Sequence, residues 1–220
     1  MFSKVTLQDW ESLVQKQLKT DDIYAVLSKE NLEGLSVRPY YDSVIKPLKN
    51  LPKIEESTHL VSVYHEDLDE NVFAFLLNEN VENLSEKALF INNKDLSEHI
   101  KTEDDSRYFS LIDVFSDDKK AEINEQLAGE LLSKSFERQI CADVSLHQNA
   151  GASIIQQLAF ALAKCKELVE KFGAEILEKL VFRFAIGSNY FFEIAKIRAF
   201  KYLFNQFSKE FNKDLIPYIF

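Results

Sequence analysis

Glycine, proline and cysteine are scarce in this chain of 220 residues, which contains 5 Gly, 4 Pro and 2 Cys. So little glycine and proline excludes collagen-like and low-complexity chains and leaves little room for disorder. The cysteines, Cys141 and Cys165, are far from any C-x-x-C spacing, which predicts reduced, buried thiols. No apolar run approaches the roughly 18 residues of a membrane span, so we expect a soluble, cytoplasmic protein with no membrane partner.

Basic charge is also in short supply. Lys and Arg number 26 against 36 Asp and Glu, which gives a formal net charge of −10. This acidic excess has no compensating basic stripe and repels phosphate backbones, so we expect no nucleic-acid partner. No acidic run has the D-x-[DN]-x-[DN]-G spacing of a calcium loop, and His59, His65 and His99 are each solitary. We therefore predict no metal site.

Apolar residues are plentiful, at 46% of the chain, and the length suits one sizeable domain. Residues 7–18 carry apolar side chains at three- and four-residue spacing, which predicts an amphipathic helix. Residues 23–27 and 35–37 flank a glycine and predict a short hairpin. We assign residues 1–57 to an N-terminal arm and linker, and residues 58–220 to the main domain.

From residue 60 onward, short β-branched and aromatic runs alternate with helical segments. The predicted strands are residues 60–64, 72–77, 88–91, 108–114, 140–145 and 180–186. Helices are predicted over residues 119–133 and 154–172, with Gly173 as a natural stop. The alternation indicates a parallel sheet of β-α units, either doubly wound or a barrel. A seventh strand is expected at residues 215–220, where the abrupt apolar end predicts a fragment.

Three segments resemble the methylmalonyl-CoA mutase family. Residues 182–199 read F-R-F-A-I-G-S-N-Y-F-F-E-I-A-K-I-R-A, similar to the family's strand, glycine turn and F-x-E-I-A-K-x-R-A helix. Residues 149–159 resemble its A-G-A … E-L-A turn, with Gln157 where Glu is usual. Trp10, together with E-G-L and P-Y-Y in residues 33–41, resembles its amino-terminal arm.

The resemblance implies an α/β fold, a partial (β/α)₈ TIM-type barrel of about six to seven strands preceded by the helical and hairpin arm. It also implies an adenosylcobalamin-dependent isomerisation of methylmalonyl-CoA to succinyl-CoA inside a barrel that a separate cobalamin domain caps. An enclosed barrel would keep water away from the radical that the cofactor supplies.

The chain departs from the family's catalytic pattern in three places. Catalytic members have a His five residues before the Gly of A-G-A, where it can donate a hydrogen bond to the substrate thioester; here Leu146 stands there, followed by His147. The family's P-Y-T-R-G segment has no counterpart in residues 58–66, which implies a deleted substrate channel. The cobalamin-ligating D-x-H-x-x-G pattern is absent, since Asp143 and His147 have the wrong spacing.

These departures lead us to expect a small, non-catalytic subunit of methylmalonyl-CoA mutase that stabilises a large catalytic subunit in a heterodimer. On this hypothesis the chain binds no cofactor, and adenosylcobalamin is bound by the catalytic partner. One alternative is an active acyl-CoA mutase barrel fragment, with the cobalamin domain on another chain and His147 as the acid. Another is an acyl-CoA-binding protein without catalysis. Candidate substrate contacts are Gln148, Asn149 and Asn189.

Other polar residues permit a structural and a functional interpretation. Asp143 could line a pocket or anchor a neighbouring strand or helix, and we favour the anchor. Glu193, Lys196 and Arg198 belong to the family string, and we expect them to fix the last helix on the barrel rim.

Overall fold

The computed structural model describes residues 5–41, 58–65, 71–79, 86–95, 106–116 and 121–220. The chain divides into two compact units, Met1–Asn50 and Leu51–Phe220. The boundary expected between residues 57 and 58 stays a prediction, because residues 42–57 lie outside the described part of the chain.

The first unit begins with the predicted amphipathic helix, α1, which spans Leu7–Leu18. Thr6 caps it: its hydroxyl accepts from the Asp9 N–H at 3.2 Å, and the Asp9 carboxylate accepts from the Thr6 N–H at 2.9 Å. This capping box pairs two backbone donors that the start of a helix otherwise leaves unpaired.

The predicted hairpin is present with a different first strand. Ile23–Leu27, expected as that strand, is a short helix, α2, because the Asp22 carboxylate accepts from the Ala25 N–H at 2.9 Å and caps a helical turn. Its five apolar residues suit a helix or a strand equally, so the cap decides. The hairpin pairs β1, Lys29–Glu30, with β2, Ser36–Val37.

The second unit is built on parallel strands. In the described residues these are β3 Val61–Val63, β4 Ala74–Leu77, β5 Ala88–Ile91, β6 Tyr108–Ser110, β7 Ile140–Asp143, β8 Leu180–Arg183 and β9 Tyr218–Ile219. Strands β3 to β6 pair in chain order, as do β7 to β9. Parallel bridges from Phe109 to Arg138 and from Asp113 to Cys141 connect β6 with β7. Each strand predicted from residue 60 onward therefore has a counterpart, and the α/β class is confirmed.

The strand order separates the two architectures that periodicity left open. A doubly wound sheet reverses its strand order, whereas here the described strands follow one another from β3 to β9. This is the order of a β/α barrel. No pairing between β3 and β9 closes the sheet within the described residues, so the fold is a partial barrel.

Helices follow the later strands. They are α3 Glu125–Leu132, α4 Ser145–Asn149, α5 Ile154–Phe172 and α6 Tyr190–Lys209, with a 3₁₀ helix at Ala174–Lys179. Helix α5 has the predicted bounds and stops at Gly173, whose φ is 83°. Helix α3 begins later than predicted because Asn124 caps it, and residues 117–120 are not described. No helix in the described ranges is long and apolar enough to cross a membrane.

Alternating strand side chains form two apolar layers. Outward residues such as Phe75, Leu89 and Phe182 pack on the helices, and inward residues such as Phe90 and Phe109 form a second cluster. Inward Phe90, on β5, has its ring centroid 4.9 Å from that of Phe220, next to β9. Strands four positions apart in a flat sheet would be about 19 Å apart. The sheet is therefore strongly curved, and the inward layer fills its concave face.

Candidate functional site

Two polar clusters lie where strands β6, β7 and β8 end. This carboxyl end carries the active sites of β/α barrels, because the loops that follow the strands converge there. The first, the strand-end cluster, consists of Asp113, Asp143, Lys164 and Arg183. The second, the Lys196 cluster, consists of Gln148, Gln157, Glu193 and Lys196.

In the strand-end cluster, both carboxylates are paired. Asp113 accepts from the Asp143 N–H at 2.9 Å and from the Lys164 ammonium, which also donates to the Asp143 carbonyl at 2.8 Å. The Asp143 carboxylate accepts from the Ser145 N–H at 2.8 Å and hydroxyl at 2.6 Å, and Arg183 lies 3.4 Å from it. These bonds tie β7 to its neighbours, so Asp143 is an anchor, as the favoured interpretation expected.

The Lys196 cluster is built around a fully buried ammonium group. Lys196 Nζ donates to Gln148 Oε1 at 3.0 Å, Gln157 Oε1 at 3.1 Å and the Ala185 carbonyl at 2.7 Å. Glu193 Oε2 lies 2.5 Å away as the counter-charge, without hydrogen-bond alignment. A lysine is seldom fully buried unless it is paired in this way. Helix α6 is thereby fixed to helices α4 and α5 and to the segment that follows β8.

Gly187 lies tightly against this cluster. A Cβ atom at this position would come within 3.0 Å of Glu193 Oε1 and 3.3 Å of Gln148 Nε2. The chain can pass this close because glycine has no side chain. Arg198, which the sequence placed in the same network, is instead exposed and has no hydrogen bond or ion pair within the described ranges.

His147, the candidate acid, lies near Lys164 of the strand-end cluster. Its ring centroid lies 4.5 Å from that of Phe160 on α5, and it lines a cavity of about 650 Å³ beside Phe115 and Lys164. Its Nδ1 is buried and has no hydrogen-bond partner in the described part of the chain. Burial, and then the charge of Lys164, lower the pKa of His147 below its ordinary value. The neutral imidazole is thus favoured.

The three candidate substrate contacts have different surroundings. Gln148 is bound to Lys196, which occupies its side-chain oxygen. Asn149 is exposed, and Asn189 is exposed at the start of α6, where its side chain makes no cap hydrogen bond. Their assignment to substrate stays a prediction.

Other candidate positions are isolated. Leu146 is 61% exposed on α4. His59 stacks on Phe73 with ring centroids 4.1 Å apart, and His99 lies outside the described residues. Within the described residues, no group of three or more His, Cys, Asp or Glu could hold a metal ion.

Sequence reasoning missed the salt bridge between Asp113 and Lys164 and the role of Gln157. Lys164 left a signal, because it lies between the buried Ala161 and Cys165 on α5. A lysine so close to a buried face needs a hydrogen-bond acceptor. An acidic residue on the adjoining strands could therefore have been predicted as its partner.

Similarity to known proteins is found in the part of the chain that contains the Lys196 cluster. The family model described as methylmalonyl-CoA mutase matches residues 136–214, which contain β7, β8 and the whole Lys196 cluster. Over these residues the chain is similar to the methylmalonyl-CoA mutase family.

Relatives in the methylmalonyl-CoA mutase family match over short segments. The "Methylmalonyl-CoA mutase small subunit" of Porphyromonas gingivalis is 47% identical over 64 residues, 26% of this chain and 10% of that protein. The "Methylmalonyl-CoA mutase" of Rhizobium meliloti is 41% identical over 73 residues, 30% of this chain and 10% of that protein. This chain thus matches about a tenth of the length of these mutases. The family string in residues 182–199 lies within the matched region.

Proposed function

We propose that this chain is a non-catalytic part of a methylmalonyl-CoA mutase, of the small-subunit type, that pairs with a catalytic large subunit and stabilises it. The observation that carries the proposal is the aromatic filling of the concave face. The sequence identity of 47% over 64 residues to the small subunit of Porphyromonas gingivalis adds support.

Four rings fill the middle of the concave face. Phe90 stacks on Phe109 with centroids 4.9 Å apart, Phe109 lies 5.0 Å from Tyr218, and Phe90 lies 4.9 Å from Phe220. Phe90 is 1% exposed. Chemistry inside the barrel, as the family resemblance implies, needs space for an acyl-CoA there. Close-packed rings leave no such space between these strands.

In the described residues, the two candidate positions after β7 also lack a suitable acid. Leu146, at the position of the family's histidine, cannot donate a hydrogen bond. His147 packs against Phe160 on α5, and burial and then the charge of Lys164 lower its pKa, which disfavours its charged form. Both features support a barrel that has kept its family fold without the proton donor.

The residues near the cobalamin-like pattern do not suit that cofactor either. The Asp143 carboxylate is occupied by Ser145 and Arg183, while His147 lies against Phe160. An aspartate that orients a ligating histidine would have to bind that histidine. We therefore propose that this chain binds no adenosylcobalamin and that the catalytic partner holds it.

Binding to a catalytic subunit tests the proposal. The purified chain is mixed with the cobalamin-loaded large subunit, and size-exclusion chromatography with light scattering measures the mass of the complex. We expect a complex with one copy of each chain and a higher unfolding temperature of the large subunit. Separate elution with an unchanged unfolding temperature would refute the stabilising role.

The active-fragment alternative has its own test in the same complex. If His147 were the acid, His147→Ala would abolish turnover of methylmalonyl-CoA by the pair of subunits. We expect turnover to be retained, because the large subunit supplies the chemistry. Loss of turnover with an intact complex would favour the active fragment.

A further inference from the structure

The outward side of α6 carries an apolar surface, which we call the α6 stripe. Its members are Phe191, Ile194, Ala195, Ala199 and Tyr202, all exposed. Phe191 is the most open, with 79% of its surface exposed. The stripe covers about three helical turns, or roughly 17 Å. Contiguous exposed apolar patches often mark interaction sites.

The helix geometry keeps the α6 stripe away from the rest of the barrel. Phe200 and Phe204 point at the sheet and pack on Phe182. At about 100° per residue, Tyr202 points roughly 160° away from Phe200. A flanking helix of a barrel would contact the sides of α6, at roughly 90° from Phe200 and close to Ala199. Such a helix leaves Phe191 and Tyr202 open. The stripe is exposed in the part of the chain that the structure describes.

A single charge, Arg198, interrupts the stripe. It lies between Ala195 and Ala199, the small residues that allow the closest approach of a second helix, at an axial separation of about 8 Å. Arg198 is exposed and unpaired in the described ranges. A second copy of this chain crossing at the two alanines would place one Arg198 against another, and like charges oppose that pairing. The complementary occupant is apolar and has a carboxylate opposite Arg198.

We propose that the α6 stripe is the surface that docks an amphipathic helix of the catalytic large subunit, with an Asp or Glu of that helix paired to Arg198. This inference rests on the proposed function, since that function supplies the partner. Exposed Phe191 and Tyr202 bury their rings at the two ends of the contact. Arg198 fixes the register, because an unpaired arginine in an apolar interface is costly.

Charge reversal with a matched control tests the docking surface. Arg198→Glu and Phe191→Ser are compared with Lys166→Glu, which reverses an exposed charge on neighbouring α5. Affinity for the cobalamin-loaded large subunit is measured by surface plasmon resonance at two salt concentrations, with circular dichroism to verify folding. We expect the α6 variants to bind at least about tenfold more weakly and the control to bind within about twofold of wild type.

Two failures are distinguishable. If the wild-type chain does not bind the large subunit, the proposed function fails and the docking assignment with it. If the wild-type chain binds and both α6 variants bind within about twofold of it, the subunit role stands and the α6 stripe is not the contact. A Lys166→Glu effect equal to that of Arg198→Glu would also overturn the assignment, since it would show general charge dependence.

Discussion

Lys196 Nζ lies 3.0 Å from Oε1 of Gln148, a residue 48 positions earlier in the chain. The same nitrogen binds Gln157 on α5 and the Ala185 carbonyl after β8. One buried cation thus connects the segments that follow β7 and β8 at the carboxyl end of the sheet. Gln148, which we predicted from the sequence as a substrate contact, forms this internal hydrogen bond. Its side chain therefore suits a structural role better than a role in binding substrate.

Removal of the Lys196 charge should destabilise the second unit strongly. In Lys196→Met, the oxygens of Gln148 and Gln157 lose their donor and the buried Glu193 loses its counter-charge. Breaking a buried pair on one side costs about 3–5 kcal/mol. Urea unfolding followed by circular dichroism measures the change. The control Lys166→Met, at an exposed ion pair on α5, should cost less than about 1 kcal/mol. Equal losses in the two variants would argue against the buried clamp.

Two glycine substitutions should shift stability in opposite directions. In Gly187→Ala the new methyl group meets Glu193 and Gln148, and both are held by Lys196, so we expect a loss of about 1–3 kcal/mol. Gly129, inside α3, has no atom within 4 Å of a built Cβ, so Gly129→Ala should stabilise by about 0.5–1 kcal/mol. Thermal unfolding of both variants provides the comparison. A neutral Gly187→Ala would mean that the cluster can shift to make room.

Local signals predicted the second unit better than its long-range contacts. Helix α5 has a long apolar period, a capping box at its start and Gly173 at its end, so its bounds followed from neighbouring residues. The five residues of α2 are too few for an apolar period to distinguish a helix from a strand, and the Asp22 cap favours the helix. The hydrogen bond from Lys196 to Gln148 joins separate β-α units. No local pattern in a single sequence indicates which residues of separate units come into contact.

The concave face should behave as a packed core. Phe90→Ala removes a ring that is 1% exposed and contacts three other rings, so we expect a loss of about 3–5 kcal/mol. The control Phe73→Ala removes a ring that is 39% exposed, so its loss of stability should be smaller. Urea midpoints at fixed pH measure both. A Phe90→Ala loss no larger than that of the control would indicate a loosely filled interior, as a substrate channel requires.

His147 should make folding less favourable at mildly acidic pH. Burial and Lys164 lower its pKa in the folded protein, while in the unfolded chain the pKa is about 6.5. The unfolded state therefore binds the proton more tightly, so the free energy of unfolding falls as the pH drops from about 6.5 towards the folded pKa and is unaffected by this group well above 6.5. His147→Gln removes this dependence. Relative to wild type, the variant should gain stability between pH 7.5 and pH 5.5, as followed by urea unfolding. A His147→Gln curve parallel to that of wild type would contradict the assigned direction of the shift.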